Sequence, residues 1–145
     1  MDPRLQHLLD VQDILDLTNR YCWAVDNLDR AQLASIFTAD ATADFGAGSM
    51  SGFDAIWAFL NASLSSLSIS QHLLGSQQIT VTGDTGQVHS YLSAKQVRTT
   101  TGGARQLTVT GKYADEVVRT ADGWRIKHRQ FTVQWIDADP LPETA

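Results

Sequence analysis

The chain has 145 residues, of which 43% are hydrophobic and 19% charged, and its formal net charge is −5 at pH 7. This length and composition are typical of one soluble globular domain with a single core. The 11 basic residues are scattered along an acidic chain, whereas nucleic acids and anionic membranes are bound by clustered Lys and Arg. Composition therefore argues against both of those partners and favours a small neutral ligand.

The single cysteine, Cys22, has no second cysteine with which to form an internal disulfide, and it excludes a multi-cysteine zinc site. The stretch MDPRLQHLLD at the start is too charged for a secretory signal, and no apolar run approaches the length that spans a membrane. We therefore expect a cytoplasmic protein.

Three helices are predicted in the first half of the chain. Apolar residues recur with a 3.6-residue period over residues 5–28, which predicts the longest helix. Asp29 can cap a second helix that ends near residues 38–40, and a third helix is predicted from residue 52 or 53 to about residue 64. The glycines of residues 46–52 indicate a loop and turn between the second and third helices.

Four strands are predicted in the second half, which is rich in Val, Ile, Thr, Tyr and Trp. They cover residues 71–81, 87–99, 107–119 and 124–136. Turns that contain Gly and Asp join them as a meander, so the sequence predicts an α+β domain with helices on one face of a curved antiparallel sheet. The single domain is expected to span residues 1–145, with a core of about residues 8–136 and a frayed tail from residue 137.

The register of the last hairpin can be counted from its turn. A three-residue loop at residues 121–123 predicts these cross-strand pairs: Arg119 with Arg125, Asp115 with Arg129, and Tyr113 with Phe131. Val133 and Trp135 would continue the face of Phe131, so this face is expected to be apolar and to carry one ion pair at its border.

Asp26 is the first candidate for a functional group, since it lies near the C-terminal end of the first predicted helix. A negative charge there faces the unfavourable end of the helix dipole, so the carboxylate is either solvated or held by a partner. Tyr21 lies earlier on the same helix, about 140° around the helix axis. Its ring is either a core aromatic with the hydroxyl at the edge or part of a wide pocket shared with Asp26.

His72 lies at the start of the first predicted long strand, between apolar neighbours. A lone histidine in such a position is either a structural residue with satisfied hydrogen bonds or a catalyst. If it contacts Asp26, the carboxylate fixes the ring tautomer and leaves the second ring nitrogen free to act as a general base. A long stretch of chain separates the two residues, so the sequence alone does not decide between these roles.

The sequence predicts no metal or nucleotide site. No pair of histidines has the spacing of metal ligands, and the acidic residues are dispersed. The glycines of residues 46–48 are not followed by the pattern that cradles phosphates. We therefore expect the protein to work without a metal or another cofactor.

Three features together carry a resemblance to one family: a first helix that ends in Tyr-x4-Asp, the run QHLL at residues 71–74, and the run GKYADEVVRTADGWRIKHR at residues 111–129. Across residues 8–136 the chain resembles a SnoaL-like member of the nuclear transport factor 2-like superfamily. The resemblance implies a cone, in which a strongly bent antiparallel sheet wraps around helices and an apolar pocket opens at one end. It also implies a homo-oligomer, either a dimer or a trimer.

In its candidate site the sequence resembles the scytalone dehydratases, the bile acid 7α-dehydratases and the hexachlorocyclohexane dehydrochlorinases. This resemblance implies a dyad of His72 and Asp26, with Tyr21 as a pocket hydroxyl and Arg129 as a basic group on the last strand. We expect the pocket walls to come from eight further residues: Trp23, Val25, Phe37, Phe45, Trp57, Phe59, Tyr113 and Phe131. Such walls would suit a small apolar substrate of the polycyclic, steroid, terpenoid or polyketide-like kind.

We therefore expect a cofactor-independent lyase, either a dehydratase or a related elimination enzyme. The same proton abstraction by His72 would serve a ketosteroid-isomerase-like isomerase, so isomerisation stays open. The alternative from another class is a binding or assembly module that holds a ligand without converting it. In such a module His72 and Asp26 form a structural hydrogen bond, and Arg129 simply pairs with Asp115.

Overall fold

A curved, unclosed six-stranded sheet carries three helices in the computed structural model, which describes residues 1–140. The elements in chain order are α1 (Pro3–Asp26), α2 (Arg30–Ile36), β1 (Phe37–Asp44), β2 (Ser49–Ser51), α3 (Phe53–Leu64), β3 (Ile69–Thr82), β4 (Thr85–Thr100), β5 (Gly103–Thr120) and β6 (Gly123–Pro140). The strands lie in the order β2-β1-β6-β5-β4-β3. The predicted α+β architecture is confirmed, with helices first and a long meander after them.

The sheet is mixed, because β1 pairs with β6 in parallel while all its other described pairs are antiparallel. The sequence missed β1 and β2, and residues 38–40 were wrongly assigned to the end of a helix. The segment FTADATAD has little β propensity of its own, so its strand forms through pairing with the distant β6. The predicted frayed tail is also wrong for residues 137–140, which continue β6 along β5, and its last residues, 141–145, lie outside the described part of the chain.

The core lies between the sheet and one face of α1. Ile14, Leu17, Tyr21 and Val25 recur at helical spacing and are all fully buried or nearly so. The apolar period fails at the start of the helix, where Leu8 is 64% exposed. The first turns of α1 thus extend beyond the apolar face, and the buried residue there is a carboxylate, Asp10.

The last hairpin has the predicted register beyond residue 127, because a shorter turn and a bulge shift the pairing by one residue in opposite directions. Its turn has two residues and not three, since Thr120 pairs with Gly123, so the expected pairing of Arg119 with Arg125 is wrong. A bulge at residue 127 then inserts one extra residue into β6. Beyond this bulge the predicted pairs form: Asp115 with Arg129, and Tyr113 with Phe131.

A second bulge, at residue 134, shifts the end of the hairpin again. Trp135 consequently lies opposite Thr110 and is 68% exposed, so its predicted place on the buried face is wrong. Val133 keeps its predicted position opposite Gly111 but is also exposed. The buried face of the hairpin therefore ends near Phe131.

Within residues 1–140 no helix is long and apolar enough to cross a membrane. The longest helix, α1, has 24 residues and includes charged side chains along its length. A cytoplasmic location stays a prediction from the sequence.

Asp10 ties the start of α1 to the end of the β5–β6 hairpin. The Arg119 guanidinium donates two hydrogen bonds to the Asp10 carboxylate, each 2.8 Å long, and the Trp124 indole N–H donates a third at 3.3 Å. Gln6 donates from within the helix at 3.0 Å. These donors, with Arg119 the strongest, lower the pKa of Asp10 to about 2 despite its burial.

We predict that Asp10→Asn lowers the free energy of unfolding by about 1–3 kcal/mol near neutral pH, since it removes charge-assisted hydrogen bonds. The folded pKa lies below the unfolded value, so this stabilisation is present above about pH 4 and disappears as the pH falls toward about 2. Urea unfolding of the wild type and the variant at several pH values measures the difference. Asp13→Asn, at an exposed position of the same helix, is the control. If Asp10→Asn lowered the free energy of unfolding equally at pH 2.5 and pH 7, the lowered pKa of Asp10 would be contradicted.

Candidate functional site

Asp26, the last residue of α1, contacts His72 on β3. The ring nitrogen Nδ1 of His72 lies 2.6 Å from Oδ1 of Asp26, and the backbone N–H of His72 donates to Oδ2 at 2.9 Å. The Ser70 hydroxyl donates to Oδ1, also at 2.9 Å. Ser70 and His72 are two residues apart on a strand, so both side chains point to the same face and reach the same carboxylate.

These contacts determine the charge of Asp26 and the tautomer of His72. Burial raises the pKa of Asp26, but the hydrogen bonds from the His72 ring, the His72 backbone and Ser70 outweigh it and lower the pKa below its ordinary value. An ionised carboxylate only accepts hydrogen bonds, so Nδ1 of His72 must carry a proton. In the neutral ring, Nε2 is then the free proton acceptor.

A cavity of about 160 Å³ borders His72 on the inner side of the sheet. Its wall combines Tyr21, Tyr113 and His72 with apolar residues from α3, β4 and the last two strands. The full lining is Tyr21, Phe45, Phe59, Leu60, Ser63, Leu64, His72, Leu92, Ala94, Gln96, Val109, Tyr113 and Phe131. Because Tyr21 and Tyr113 are almost completely buried while Ser63 is exposed, the hydroxyl-bearing rings lie at the deep side and Ser63 lies at the mouth.

Asp26 does not border this cavity but lies behind His72. It faces a separate surface groove of about 650 Å³ between α1 and β3, which His72 also borders. The imidazole therefore stands between the carboxylate and the cavity. This arrangement resolves the angular mismatch between Tyr21 and Asp26 on α1, since only Tyr21 points into the cavity and His72 bridges the two.

Tyr21 packs edge-on against His72, with ring centroids 6.4 Å apart and an interplanar angle of 85°. Its side chain is 1% exposed. Burial raises the pKa of Tyr21, and the charge of Arg129 and the Tyr113 hydroxyl oppose that rise without cancelling it. The hydroxyl is therefore protonated at neutral pH and available as a hydrogen-bond donor.

Arg129 lies deeper than the sequence suggested. It is completely buried, and it donates from Nε and Nη2 to the two carboxylate oxygens of Asp115, each at 2.7 Å. Its guanidinium carbon lies 4.0 Å from the ring centroid of Tyr21 and 3.9 Å from that of Tyr113. Arg129 thus does not line the cavity, and the two rings next to it do.

Four of the eight expected wall residues line the cavity and four do not. Phe45, Phe59, Tyr113 and Phe131 line the cavity, whereas Trp23, Val25, Phe37 and Trp57 do not, which corrects the expected wall. Trp23 is 73% exposed in the outer groove, because it lies about 200° around α1 from Tyr21. Val25 and Phe37 are buried in the core, and Trp57 packs half-buried against that core from α3.

Phe131 reaches the cavity because the opposing strand carries a glycine. A Cβ built on Gly111 would clash with the backbone carbonyl oxygen of Thr132 and lie 2.6 Å from the Phe131 ring, so any larger residue there would displace the strand and the ring together. Phe131 also packs against Tyr113, with centroids 5.1 Å apart. The glycine therefore helps to define the inner wall.

Several residues of the site were not predicted from the sequence. Leu92, Ala94 and Gln96 alternate along β4 and face the cavity, so the period-two pattern of that strand could have identified them. Ser70 could have been found as the residue two positions before His72 on one strand face. The α3 contributions, such as Ser63, carry no signal that distinguishes them from surface or core residues.

Comparison with known proteins gives a consistent assignment. The profile of the SnoaL-like domain matches residues 6–130. An uncharacterized protein of Mycobacterium tuberculosis is 30% identical over 138 residues, which cover 91% of this chain and 92% of that protein. The Kribbella flavida protein Kfla4162 is 26% identical in sequence, and its crystal structure superposes with a TM-score of 0.83 over 90% of this chain and 95% of that protein's chain.

A type 2 hexachlorocyclohexane dehydrochlorinase shares the fold, with a TM-score of 0.80 at 19% identity over 98% of this chain and 95% of that one. A Salmonella enterica protein of the nuclear transport factor 2-like superfamily has the same fold, with a TM-score of 0.77 at 21% identity over 86% of this chain and 90% of that one. The domain match covers most of the sequence, and the relatives align along nearly their whole length. The chain belongs to the SnoaL-like family.

Proposed function

We propose that this protein is a cofactor-independent lyase that eliminates water or a related leaving group from a small apolar substrate. One observation carries the proposal: His72 borders an apolar cavity while its Nδ1 is bonded to an ionised Asp26. A sealed structural pair would have no cavity beside it, so this geometry favours contact of His72 with a ligand over a purely structural hydrogen bond. A neighbour in fold, the dehydrochlorinase, is by its name an elimination enzyme.

The reaction follows from the free Nε2 of His72. This nitrogen takes a proton from a carbon next to a carbonyl, and the electron pair of the C–H bond forms an enolate. When the enolate collapses, a C=C bond forms and the bond to a β-hydroxyl breaks. The hydroxide leaves as water with the proton that His72 carried, so the imidazole returns to its neutral state and no cofactor is consumed.

Tyr21 is the proposed donor to the developing negative charge. Its protonated hydroxyl belongs to a ring that borders the cavity beside His72. Arg129, the expected basic group on the last strand, acts in this proposal from behind the Tyr21 ring. Arg129 and Asp115 form an oriented ion pair whose positive end lies against the Tyr21 ring, and a fixed dipole acts at longer range in a buried site than in water.

The cavity volume favours substrates with one or two rings over steroids. An engineered cavity of about 150 Å³ binds benzene, and the cavity here measures about 160 Å³. Phe45 and Phe59 stack with centroids 5.3 Å apart and restrict its width. An isomerase remains the second candidate, since returning the proton to another carbon needs the same base.

A homo-oligomer is also part of the proposal. Exposed apolar side chains on the outer surface, among them Trp23, Leu73, Tyr91, Trp135 and Ile136, support self-association. Such residues are more common at subunit interfaces than on the free surface of a monomer.

We predict that His72→Ala lowers kcat/KM by a factor of about 10²–10⁴, because the general base is lost. Turnover of single-ring β-hydroxy ketones and chlorinated cyclohexanes, followed by product absorbance and chromatography, is the measurement. His89→Ala is the matched control, since His89 is an exposed histidine of β4 outside the cavity. Full activity in His72→Ala would exclude the dyad, and circular dichroism checks that the variant is folded.

Asp26→Asn should lower kcat by about 10²-fold or more, because an amide can donate to Nδ1 and so favours the wrong tautomer of His72. The variant should also be less stable. Since the folded pKa of Asp26 is depressed, its stabilisation is present above about pH 4 and is lost as the pH falls through the folded pKa. Denaturant titrations should therefore show that the free energy of unfolding of Asp26→Asn is lower than that of the wild type at pH 7, and that this difference is smaller at pH 3. Unchanged kcat would contradict the role of the carboxylate.

The cavity size predicts a binding order in which cyclohexanone and 1-tetralone bind more tightly than a tetracyclic 3-ketosteroid. Phe59→Ala should strengthen binding of the two-ring ketone relative to the one-ring ketone, since it opens one side of the cavity. Isothermal titration calorimetry measures both effects. Trp57→Phe, on the same helix but outside the cavity, should leave the order unchanged. Tightest binding of the steroid would refute the size argument.

A further inference from the structure

Arg129 is the most unusual buried group of the protein. A buried charge is costly unless it is paired and hydrogen-bonded. Asp115 satisfies Nε and Nη2, but Nη1 has no hydrogen-bond acceptor within residues 1–140. The protein thus keeps an arginine–aspartate ion pair in its interior, beside the cavity wall.

Two tyrosine rings pack against this cation from adjacent sides, nearly perpendicular to each other. Arg129 lies 4.0 Å from the Tyr21 centroid and 3.9 Å from the Tyr113 centroid, which is well within the range of a cation–π contact. The rings themselves meet edge-on, at 5.9 Å and 86°. The buried guanidinium of the Arg129–Asp115 pair therefore contacts both phenol rings.

Both phenols border the cavity next to His72. They come from different elements, Tyr21 from α1 and Tyr113 from β5, and they converge at the buried side of the cavity. Burial raises the pKa of Tyr113 well above its ordinary value, the neighbouring Tyr21 raises it further, and the charge of Arg129 only partly opposes this. Both hydroxyls therefore stay protonated at neutral pH, so each keeps an O–H that can donate a hydrogen bond.

We propose that Tyr113 is a second catalytic hydroxyl, which together with Tyr21 forms a two-donor site for the enolate oxygen opposite His72, with Arg129 as the positioning residue behind both rings. The inference rests on the proposed lyase function and extends it to a residue otherwise read as an apolar wall. No proton is transferred by either tyrosine in this scheme. Two O–H donors share the charge that appears on the oxygen while His72 holds the carbon proton.

The test uses 4-nitrophenol, a one-ring probe whose neutral and phenolate forms differ in visible absorbance. An apolar cavity without donors would favour the neutral phenol and raise the pKa of the bound probe. A two-donor site should do the opposite in the wild-type protein. Titrating the probe with protein across a pH series gives the affinity for each form, and this wild-type measurement needs no variant.

Tyr113→Phe keeps the ring against Arg129 and removes only the hydroxyl. We expect about tenfold or more weaker binding of the phenolate, with binding of the neutral phenol nearly unchanged. Tyr21→Phe should give a similar loss. Tyr91→Phe is the matched control, because Tyr91 is exposed and lies outside this cavity. In turnover assays Tyr113→Phe should lower kcat and leave KM nearly unchanged.

The role of Arg129 is tested with the double variant Asp115→Asn and Arg129→Gln, which removes both charges without leaving either one unpaired. It should lose the preference for phenolate while it still binds the neutral phenol, a pattern that a purely structural role would not produce. A Tyr113→Phe protein that binds phenolate as tightly as the wild type would overturn the proposal. Equal affinity of the wild type for both forms of the probe would overturn it as well.

The two proposals can fail separately. His72→Ala should keep the preference for phenolate, because the donors remain. If no substrate is turned over but the probe still distinguishes Tyr113→Phe from the wild type, the lyase proposal fails and the two-donor site stands. If turnover depends on His72 but Tyr113→Phe changes neither kcat nor phenolate binding, only the role of Tyr113 fails.

Discussion

The contact between Asp26 and His72 is the constraint on which the candidate site depends. A carboxylate at the C-terminal end of a helix is opposed by the helix dipole, and a partly buried one also loses solvation. Three donors from Ser70 and His72 compensate for both costs. The contact therefore fixes how α1 meets β3 and holds the imidazole that borders the cavity.

Asp115 is a buried carboxylate that orients a neighbouring side chain, as Asp26 orients His72. It holds Arg129 in a bidentate pair, and Arg129 in turn contacts the rings of both Tyr21 and Tyr113. Neither carboxylate borders the cavity. Each orients another side chain that contacts the cavity or stacks on its wall, so the site consists of neutral groups at the surface of the cavity and charges behind them.

This layering accounts for what the sequence could and could not predict. The helical period of α1 and the turn signals of the strands gave the fold class, since both are local patterns. The predicted pairing of Asp115 with Arg129 is confirmed because the turn is one residue shorter than predicted and the bulge at residue 127 restores the register. The strand β1 was missed, because it forms by long-range pairing and not by local propensity.

The residues of the site show the same division. His72 and Asp26 could be proposed as partners only through the family resemblance, as no local pattern joins two residues so far apart. Trp23 was misplaced because composition suggests an apolar wall, whereas the helical angle from Tyr21 puts it on the outer surface. The depth of Arg129 behind two rings depends on packing of α1 against β5 and β6, which no single segment encodes.

The tautomer of His72 tests the central claim most directly. In protein labelled with ¹⁵N at histidine, long-range proton–nitrogen correlation spectra distinguish Nδ1–H from Nε2–H, and His72→Ala assigns the signal among the four histidines. At a pH where the ring is neutral, we predict protonated Nδ1 and unprotonated Nε2, with an Nε2 shift that changes when 1-tetralone binds. A proton on Nε2, or a signal that does not respond to the ligand, would contradict the account.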